Sequence, residues 1–102
     1  MRIKAGERSF ELGWREIAIL LALLWTKSGA LLLSHFRRIE PDSGKLNEIV
    51  EKLKTWNLIG EVPTGKARLL YLTDLGYNVA KQLEKMAKDL EASIRETNRL
   101  MN

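Results

Sequence analysis

The side chains with the clearest chemical potential in this sequence are cations beside a glycine turn. Thr64 and Gly65 are followed by Lys66, and Arg68 comes two residues later. Two cations with little surrounding bulk let a loop approach a row of phosphate groups, which Lys and Arg contact and neutralise. An ordinary solvated turn is the alternative, and the pattern favours phosphate contact over it.

Catalytic and metal-binding sets are not found in the sequence. The chain contains no cysteine and one histidine, His35, which excludes thiol chemistry, disulfides and a usual transition-metal site within one chain. No set of neighbours makes His35 a catalytic base, and no glycine loop of the nucleotide-binding type is present. We therefore expect a protein that is not an enzyme, with no metal, no cofactor and no evident small-molecule ligand.

The composition is that of a folded domain with a moderate basic excess. Of the 102 residues 45% are hydrophobic, and the formal net charge of +4 is compatible with a polyanionic partner. The excess lies mainly in residues 1–40. The apolar run over residues 17–25 has the outline of a signal peptide, but a core helix is the preferred interpretation. The run is also too short to span a membrane, which takes about 20 residues. We expect no membrane partner and a cytoplasmic protein, associated with the nucleoid if the source is prokaryotic.

The secondary structure predicted around these side chains is mainly helical with one small β-hairpin, an α+β fold class. The predicted elements are a polar arm or short turn over 1–12, helices over 14–27, 30–39 and 43–56, a hairpin over 59–72, and a long helix from Thr73 onward. An extended residue pair at the start of the helix over 30–39 is an alternative to a fully helical segment. Asp42 and Ser43 are alternative N-caps of the third helix. Asn57 is a suitable left-handed stop at its end.

The helix over 43–56 has an apolar face and a mixed polar face. Leu46, Val50 and Leu53 recur at helical spacing, so the opposite face points outward. The outward residues are Asn47, Glu48, Glu51 and Thr55, with Lys45 and Lys52 on one side and Lys54 on the other. Asn, Thr and Glu can each contact a base edge, yet carboxylates repel phosphates. A solvated face is therefore the preferred interpretation for the two glutamates.

Two segments at a characteristic separation resemble the winged helix-turn-helix family. Residues 53–59 (LKTWNLI) resemble its junction between recognition helix and first wing strand, and residues 71–77 (YLTDLGY) resemble its second wing strand entering the next helix. Asn57 stands where the family usually has Gly, and the second motif is one residue shorter than usual. The resemblance covers about residues 14–80. The long terminal helix further resembles small archaeal winged-helix proteins that dimerise through a coiled coil.

This resemblance implies binding to double-stranded DNA, with helix 43–56 in the major groove and wing 59–72 on the backbone or minor groove. The implied contact residues are Ser43, Lys45, Asn47, Glu48, Lys52, Lys66 and Arg68, joined by Arg37 and Arg38 at the end of the helix over 30–39. Arg2, Lys4 and Arg8 form either a basic arm on DNA or a frayed terminus. A transcription regulator is the expected function. An architectural, chromatin-type DNA binder and a protein-interaction domain without DNA binding are the alternatives.

The C-terminal helix carries a 3-4 repeat that predicts a homodimer. From Ala80 onward the repeat gives an expected interface of Leu83, Ala87, Leu90, Ile94, Thr97 and Met101. A helix of about 25 residues is about 37 Å long. Residues 75–83 are expected to pack back on their own domain, whereas residues 87–101 extend further than a domain of this size covers. We therefore expect a winged-helix domain over 1–77 and a dimerisation helix over 78–102. The three tryptophans, at 14, 25 and 56, are expected in the core or an interface.

Overall fold

Three α-helices and a three-stranded antiparallel sheet form the body of the protein in the computed structural model, which describes residues 1–101, with side chains up to residue 100. The elements are β1 Arg2–Ala5, β2 Arg8–Glu11, α1 Trp14–Trp25, β3 Ala30–Leu32, a 3₁₀-helix Leu33–Arg38, α2 Ser43–Thr55, β4 Ile59–Thr64, β5 Ala67–Leu72 and α3 Asp74–Met101. The sheet order is β3–β5–β4, and β1 pairs only with β2. The predicted α+β fold class is confirmed.

The core lies between α1, α2, the sheet and the first turns of α3. Ile19 and Leu20 of α1 are fully buried, as are Val50 and Leu53 of α2 and Leu70 of β5. Full burial of each such aliphatic side chain contributes roughly 2 kcal/mol to folding. The apolar run of α1 is therefore the centre of the domain. No helix among the described residues is both long enough and apolar enough to cross a membrane.

The segment 30–39, predicted as a short helix, is a strand followed by a 3₁₀-helix. Ala30 pairs with Tyr71 and Leu32 with Leu69, so β3 becomes an edge strand of the sheet. The His35 Nδ1 atom accepts a hydrogen bond of 3.2 Å from the Leu32 backbone N–H, which caps the following 3₁₀-helix. The predicted helix is thus present over residues 33–38 as a 3₁₀-helix, after an extended start. The pairing of that start in the sheet was missed because its partner lies some forty residues away in the chain. His35 has a local structural role.

Residues 1–12 form a β-hairpin, which corrects the expected arm or short turn. Gly6 takes a left-handed backbone with φ of 63° at the hairpin turn, and Ile3 and Phe10 point into the core. The Gln82 side chain of α3 donates a hydrogen bond of 2.8 Å to the Lys4 carbonyl oxygen. The hairpin is therefore docked on α3, and a frayed terminus does not describe it.

The bounds of α2 agree with the sequence to within one residue. Asp42, one of the two alternatives, is the N-cap, since its Oδ1 accepts a hydrogen bond of 2.9 Å from the Lys45 backbone N–H. Ser43 is then the first residue of the helix. Asn57 has φ of 60°, which confirms the predicted left-handed stop. This backbone conformation ends α2 and turns the chain towards β4.

The last helix, α3, begins in the core and ends far outside it. The Thr73 hydroxyl accepts a hydrogen bond of 3.0 Å from the Gly76 backbone N–H, so the predicted cap is confirmed. Val79, Ala80 and Leu83 are buried against the domain, and every described side chain from residue 85 onward is exposed. The domain core thus includes residues up to Leu83, six beyond the predicted boundary at 77, and the helix is continuous across that boundary.

Two of the three tryptophans lie outside the core. Trp14 and Trp25 are 61% and 59% exposed, whereas Trp56 is half-buried with its ring centroid 5.8 Å from that of Phe10. Of the two predicted locations the core is thus excluded for Trp14 and Trp25, the first and last residues of α1, and an interface stays a prediction. Trp25 is held there by a hydrogen bond from its indole N–H to Glu84.

Candidate nucleic-acid interface

A groove opens where the 3₁₀-helix, the start of α2 and the wing meet. Its volume is about 190 Å³, and its polar lining comes from Ser34, Arg37, Ser43, Lys66 and Arg68. At the helix start the Lys45 backbone N–H is already bound by the Asp42 carboxylate, so the unpaired positive charge at the groove comes from Arg37 and Lys66. Residues from three separate elements therefore converge at one place that suits an anion.

Four of the predicted contact residues are exposed cations without a salt bridge in the described part of the chain: Arg37, Arg38, Lys45 and Lys66. Lys66 follows Gly65, whose φ of 60° makes the tight turn of the wing. Because these cations are not neutralised by carboxylates, their full charge is available to a polyanion.

Arg68, the second predicted wing cation, lies in a dense ionic cluster. Its guanidinium donates to both carboxylate oxygens of Glu61, Nε to Oε2 and NH2 to Oε1, each at 2.8 Å. It also donates to Glu51 Oε1 at 3.0 Å and to Asn47 Oδ1 at 2.8 Å. Lys54 approaches the same carboxylates, with its Nζ 3.0 Å from Glu61 and 3.4 Å from Glu51. We call these five side chains the wing clamp, because they join the wing to α2.

Glu61 is the electrostatic centre of the wing clamp. The hydrogen bond from Arg68, supported by a second one from Lys54 and by both positive charges, lowers its pKa to about 2, against the opposing effect of desolvation. Its side chain is 15% exposed. Glu61 is therefore ionised at every physiological pH and holds both cations in place.

Lys52 is paired on the opposite flank of α2. Its ammonium forms an ion pair with the nearly buried Glu16 of α1 and lies 5.2 Å from the centre of the Trp56 ring. Burial acts to raise the pKa of Glu16, but the hydrogen bond and charge of Lys52 outweigh it, so the pKa is lowered. Lys52 thus has a structural role between two helices.

The outward face of α2 retains few free polar groups. Asn47 accepts from Arg68, and the Thr55 hydroxyl donates to the Glu51 carbonyl oxygen at 2.9 Å. Glu48 is exposed and forms no salt bridge or side-chain hydrogen bond among the described residues. No group of three or more His, Asp or Glu residues in the described part of the chain could hold a metal ion.

Sequence reasoning missed Glu61 as a member of this surface, and it placed Lys54 beside the outward face of α2 without assigning it a contact. Glu61 is on β4 and Arg68 on β5, two strands already predicted as a hairpin, and the observed register places Glu61 diagonally across from Arg68. Opposite charges at that spacing were the available signal. The participation of Glu51 and Asn47 was not readable in the same way, because it depends on how α2 crosses the wing.

The predicted dimer residues differ in their accessibility. Leu83 is 3% exposed and belongs to the core of its own domain, so its assignment to a dimer interface was wrong. Leu90 and Ile94 are 62% and 52% exposed, and Ala87 and Thr97 are exposed as well. The side chain of Met101 lies outside the described residues. The apolar stripe of α3 therefore extends beyond the core, and no other described part of the chain covers it there.

No protein-family model matches the sequence, and neither does any curated protein. Solved structures do match. MepR of Staphylococcus aureus has a TM-score of 0.76 at 14% identity, covering 90% of this chain and 73% of its own. ZitR of Lactococcus lactis has a TM-score of 0.75 at 17% identity, covering 97% of this chain and 68% of its own. The SPO1453 protein of Silicibacter pomeroyi has a TM-score of 0.72 at 21% identity, covering 84% of this chain and 62% of its own.

The chain has the winged-helix fold. The similarity includes the helices, the wing and much of the terminal helix, and the chain spans about two thirds of the length of these proteins, 65% for another structure of ZitR. MepR is described as a transcription regulator of a multidrug efflux pump, and SPO1453 as a MarR family transcriptional regulator. Another winged-helix neighbour, PefR of Streptococcus agalactiae, is described as a heme sensor in complex with heme.

Proposed function

We propose that this winged-helix protein is a homodimeric, double-stranded DNA-binding transcription regulator. In this proposal α2 enters the major groove, and the wing, residues 59–72, contacts the backbone or minor groove. The observation that carries the proposal is the convergence of Arg37, Lys66 and the start of α2 around one groove. The similarity to proteins described as transcription regulators supports it.

Each component of that groove suits a phosphate group for a separate reason. Lys66 and Arg37 supply unpaired positive charge, which attracts a phosphate and releases its counterions. Ser43 adds a hydroxyl at the helix start. One backbone phosphate seated there would fix α2 in register with the duplex, while Arg38 and Lys45 contact neighbouring phosphates.

The proposed dimer rests on the uncovered half of α3. The helix has 28 residues, which corresponds to about 42 Å, and the longest dimension of the chain is 54 Å. Leu90 and Ile94 continue the stripe that Leu83 begins inside the core. Charged side chains lie on the opposite face, where Glu91 pairs with Arg95. An exposed apolar stripe at heptad spacing is best covered by the same stripe of a second copy.

The proposed DNA contact is tested by a gel-shift titration of wild type and Lys66→Ala against random and genomic duplexes at two salt concentrations. We expect the variant to bind more weakly and to lose about one unit of slope in log K against log salt per wing that contacts DNA. Lys85→Ala is the matched control, since Lys85 is an exposed lysine of α3 without a salt bridge among the described residues. Equal binding by wild type and Lys66→Ala would contradict the role of the wing.

The proposed dimer is tested by sedimentation equilibrium at micromolar concentration. We expect wild type to have the mass of two chains and Leu90→Glu to have the mass of one. Ala92→Glu is the matched control, because Ala92 lies on the charged face of the same exposed part of α3. A wild-type mass of one chain would rule out the dimer.

An architectural DNA-binding role is a second candidate function. It is favoured by the pairing of Arg68, Lys52 and Lys54 with carboxylates, which leaves free cations mainly at the wing tip and around the start of α2. A protein that binds duplexes of any sequence with a steep dependence on salt would fit this second function.

A further inference from the structure

We propose that Glu61 is a positioning residue that withholds Arg68, Lys54 and Asn47 from DNA, so that the protein binds duplexes through phosphate contacts with little discrimination between bases. This inference rests on the proposed duplex binding, and of the two candidate functions it favours the architectural DNA binder over the transcription regulator, because a regulator must discriminate between bases. It gives a functional role to the wing clamp, the ionic cluster on the flank of α2 nearest the wing.

Arg68 has almost no hydrogen-bonding capacity left for a phosphate. A guanidinium carries five N–H donors, and the wing clamp uses four of them, two on Glu61, one on Glu51 and one on Asn47. Breaking the paired contacts with Glu61 would leave a carboxylate that is only 15% exposed without its main partner. Phosphate contact by Arg68 is therefore unfavourable compared with contact by the unpaired Lys66.

The charge of the wing clamp is balanced. Arg68 and Lys54 carry two positive charges, and Glu61 and Glu51 carry two negative charges within 3.4 Å of them. A neutral cluster releases few counterions when a phosphate backbone approaches. The flank of α2 beside the wing thus adds little to non-specific attraction, although it contains two of the predicted cations of this surface.

The wing clamp also engages Asn47, so this side chain is not available to recognise a base. Bidentate recognition of adenine needs the side-chain oxygen to accept from N6 while the nitrogen donates to N7. In this structure the oxygen already accepts from Arg68 at 2.8 Å. Since the Thr55 hydroxyl is also engaged, Glu48 is the one outward polar side chain of the middle of α2 that keeps both oxygens free among the described residues.

The experiment compares salt slopes for three variants on a random duplex: Lys66→Ala, Arg68→Gln and Glu61→Gln. We expect the slope to fall by about one unit for Lys66→Ala and to stay unchanged for Arg68→Gln. Glu61→Gln removes the carboxylate shared by Arg68 and Lys54, so that one of these cations becomes available to a phosphate, and we expect its slope to rise by about one unit with tighter binding. A slope for Arg68→Gln that falls as far as that of Lys66→Ala overturns the inference.

A second measurement on the wild-type protein covers the case in which Arg68→Gln does not fold, as judged by circular dichroism. The Nε–H signal of Arg68 in a ¹⁵N-labelled sample is followed while random duplex is added. We expect it to stay in place while that of Arg37 shifts. A shift of the Arg68 signal as large as that of Arg37 overturns the inference.

Base discrimination is measured by competition between the tightest duplex selected from a random pool and unselected duplex. Specific DNA-binding proteins commonly prefer their sites by about a thousandfold or more, and here we expect a ratio well below that. A wild-type ratio above about a thousandfold overturns the inference while leaving the proposed function intact. Wild-type protein that binds no duplex at all overturns the proposed function and this inference with it.

Discussion

The tip and the base of the wing contain similar residues that are held in opposite ways. At the tip, residues 64–67, Lys66 is exposed beside a left-handed glycine and has no salt bridge in the described part of the chain. At the base, residues 58–61 and 68–73, Arg68 is fixed by three side chains from two elements. The contrast shows that the fold, and not the residue type, decides which cation of the wing keeps an unpaired charge.

The largest expected effect is on stability, and it compares a glycine beside the base of the wing with the glycine of the tip. A Cβ at Gly76, next to the wing base, would lie 1.7 Å from the Leu58 carbonyl oxygen, whereas a Cβ at Gly65 would meet nothing within 4 Å. We expect Gly76→Ala to lower the free energy of unfolding by about 3 kcal/mol, because backbone must move. Gly65→Ala should cost about 1 kcal/mol through its positive φ alone. Urea unfolding measures both, and equal losses would contradict the comparison.

The next effect is the pH dependence of the free energy of unfolding, which arises at the base of the wing. The pKa of Glu61 is about 2 in the folded chain and near 4.5 in the unfolded chain. Its contribution to stability, on the order of 2 kcal/mol after allowance for solvent screening, is complete above pH 4.5 and is lost as the pH falls towards 2. We expect urea unfolding to show wild type more stable than Glu61→Gln at pH 6, with the difference vanishing near pH 2. A difference independent of pH would argue against the wing clamp.

A smaller effect distinguishes Arg68, whose loss should affect stability, from Lys66, whose loss should affect duplex binding. Arg68→Ala should lower the free energy of unfolding by roughly 1–2 kcal/mol, since it leaves Glu61 with Lys54 as its remaining partner. Lys66→Ala should leave stability within about 0.5 kcal/mol of wild type while weakening duplex binding. Thermal unfolding and gel shifts on both variants check this. The comparison fails if the stability loss is the same at both positions.

The smallest effect is at Asn57, where α2 ends and the wing base begins. Its φ of 60° costs most side chains roughly 1 kcal/mol, whereas Asn and Gly tolerate it. We expect Asn57→Ala to destabilise the protein by about 1 kcal/mol in urea unfolding and Asn57→Gly to be nearly neutral. Equal losses for the two variants would show that the Asn side chain, and not its backbone conformation, is what matters there.

Local patterns in the sequence were sufficient for much of the fold. The apolar spacing of α2, the Thr73 cap and the Gly65 turn each involve residues within one turn or one hairpin, and the structure confirms all three. The N-terminal hairpin and β3 were missed because each depends on a distant partner. β3 pairs with β5, and β1 docks on α3 through Gln82.

The candidate site was predicted less completely than the fold. The sequence picked out Lys66, Arg37 and the start of α2, and the structure brings them to one groove. It could not show that Lys52 pairs with Glu16 or that Arg68 pairs with Glu51, because these ion pairs join side chains of different elements. Leu83 was assigned both to the dimer interface and to the stretch that packs on its own domain, and its burial decides for the domain.

By itself, then, the sequence determined the order of the main helices and the wing, their caps and turns, and the presence of cations at the wing tip. These follow from periodicity and from backbone preferences, which act over a few residues. Only the tertiary structure decided which cations remain unpaired, as Lys66 does and Arg68 does not. The reason is that a charge is neutralised by whatever lies within a few ångströms of it, and in a folded chain those neighbours come from distant parts of the sequence.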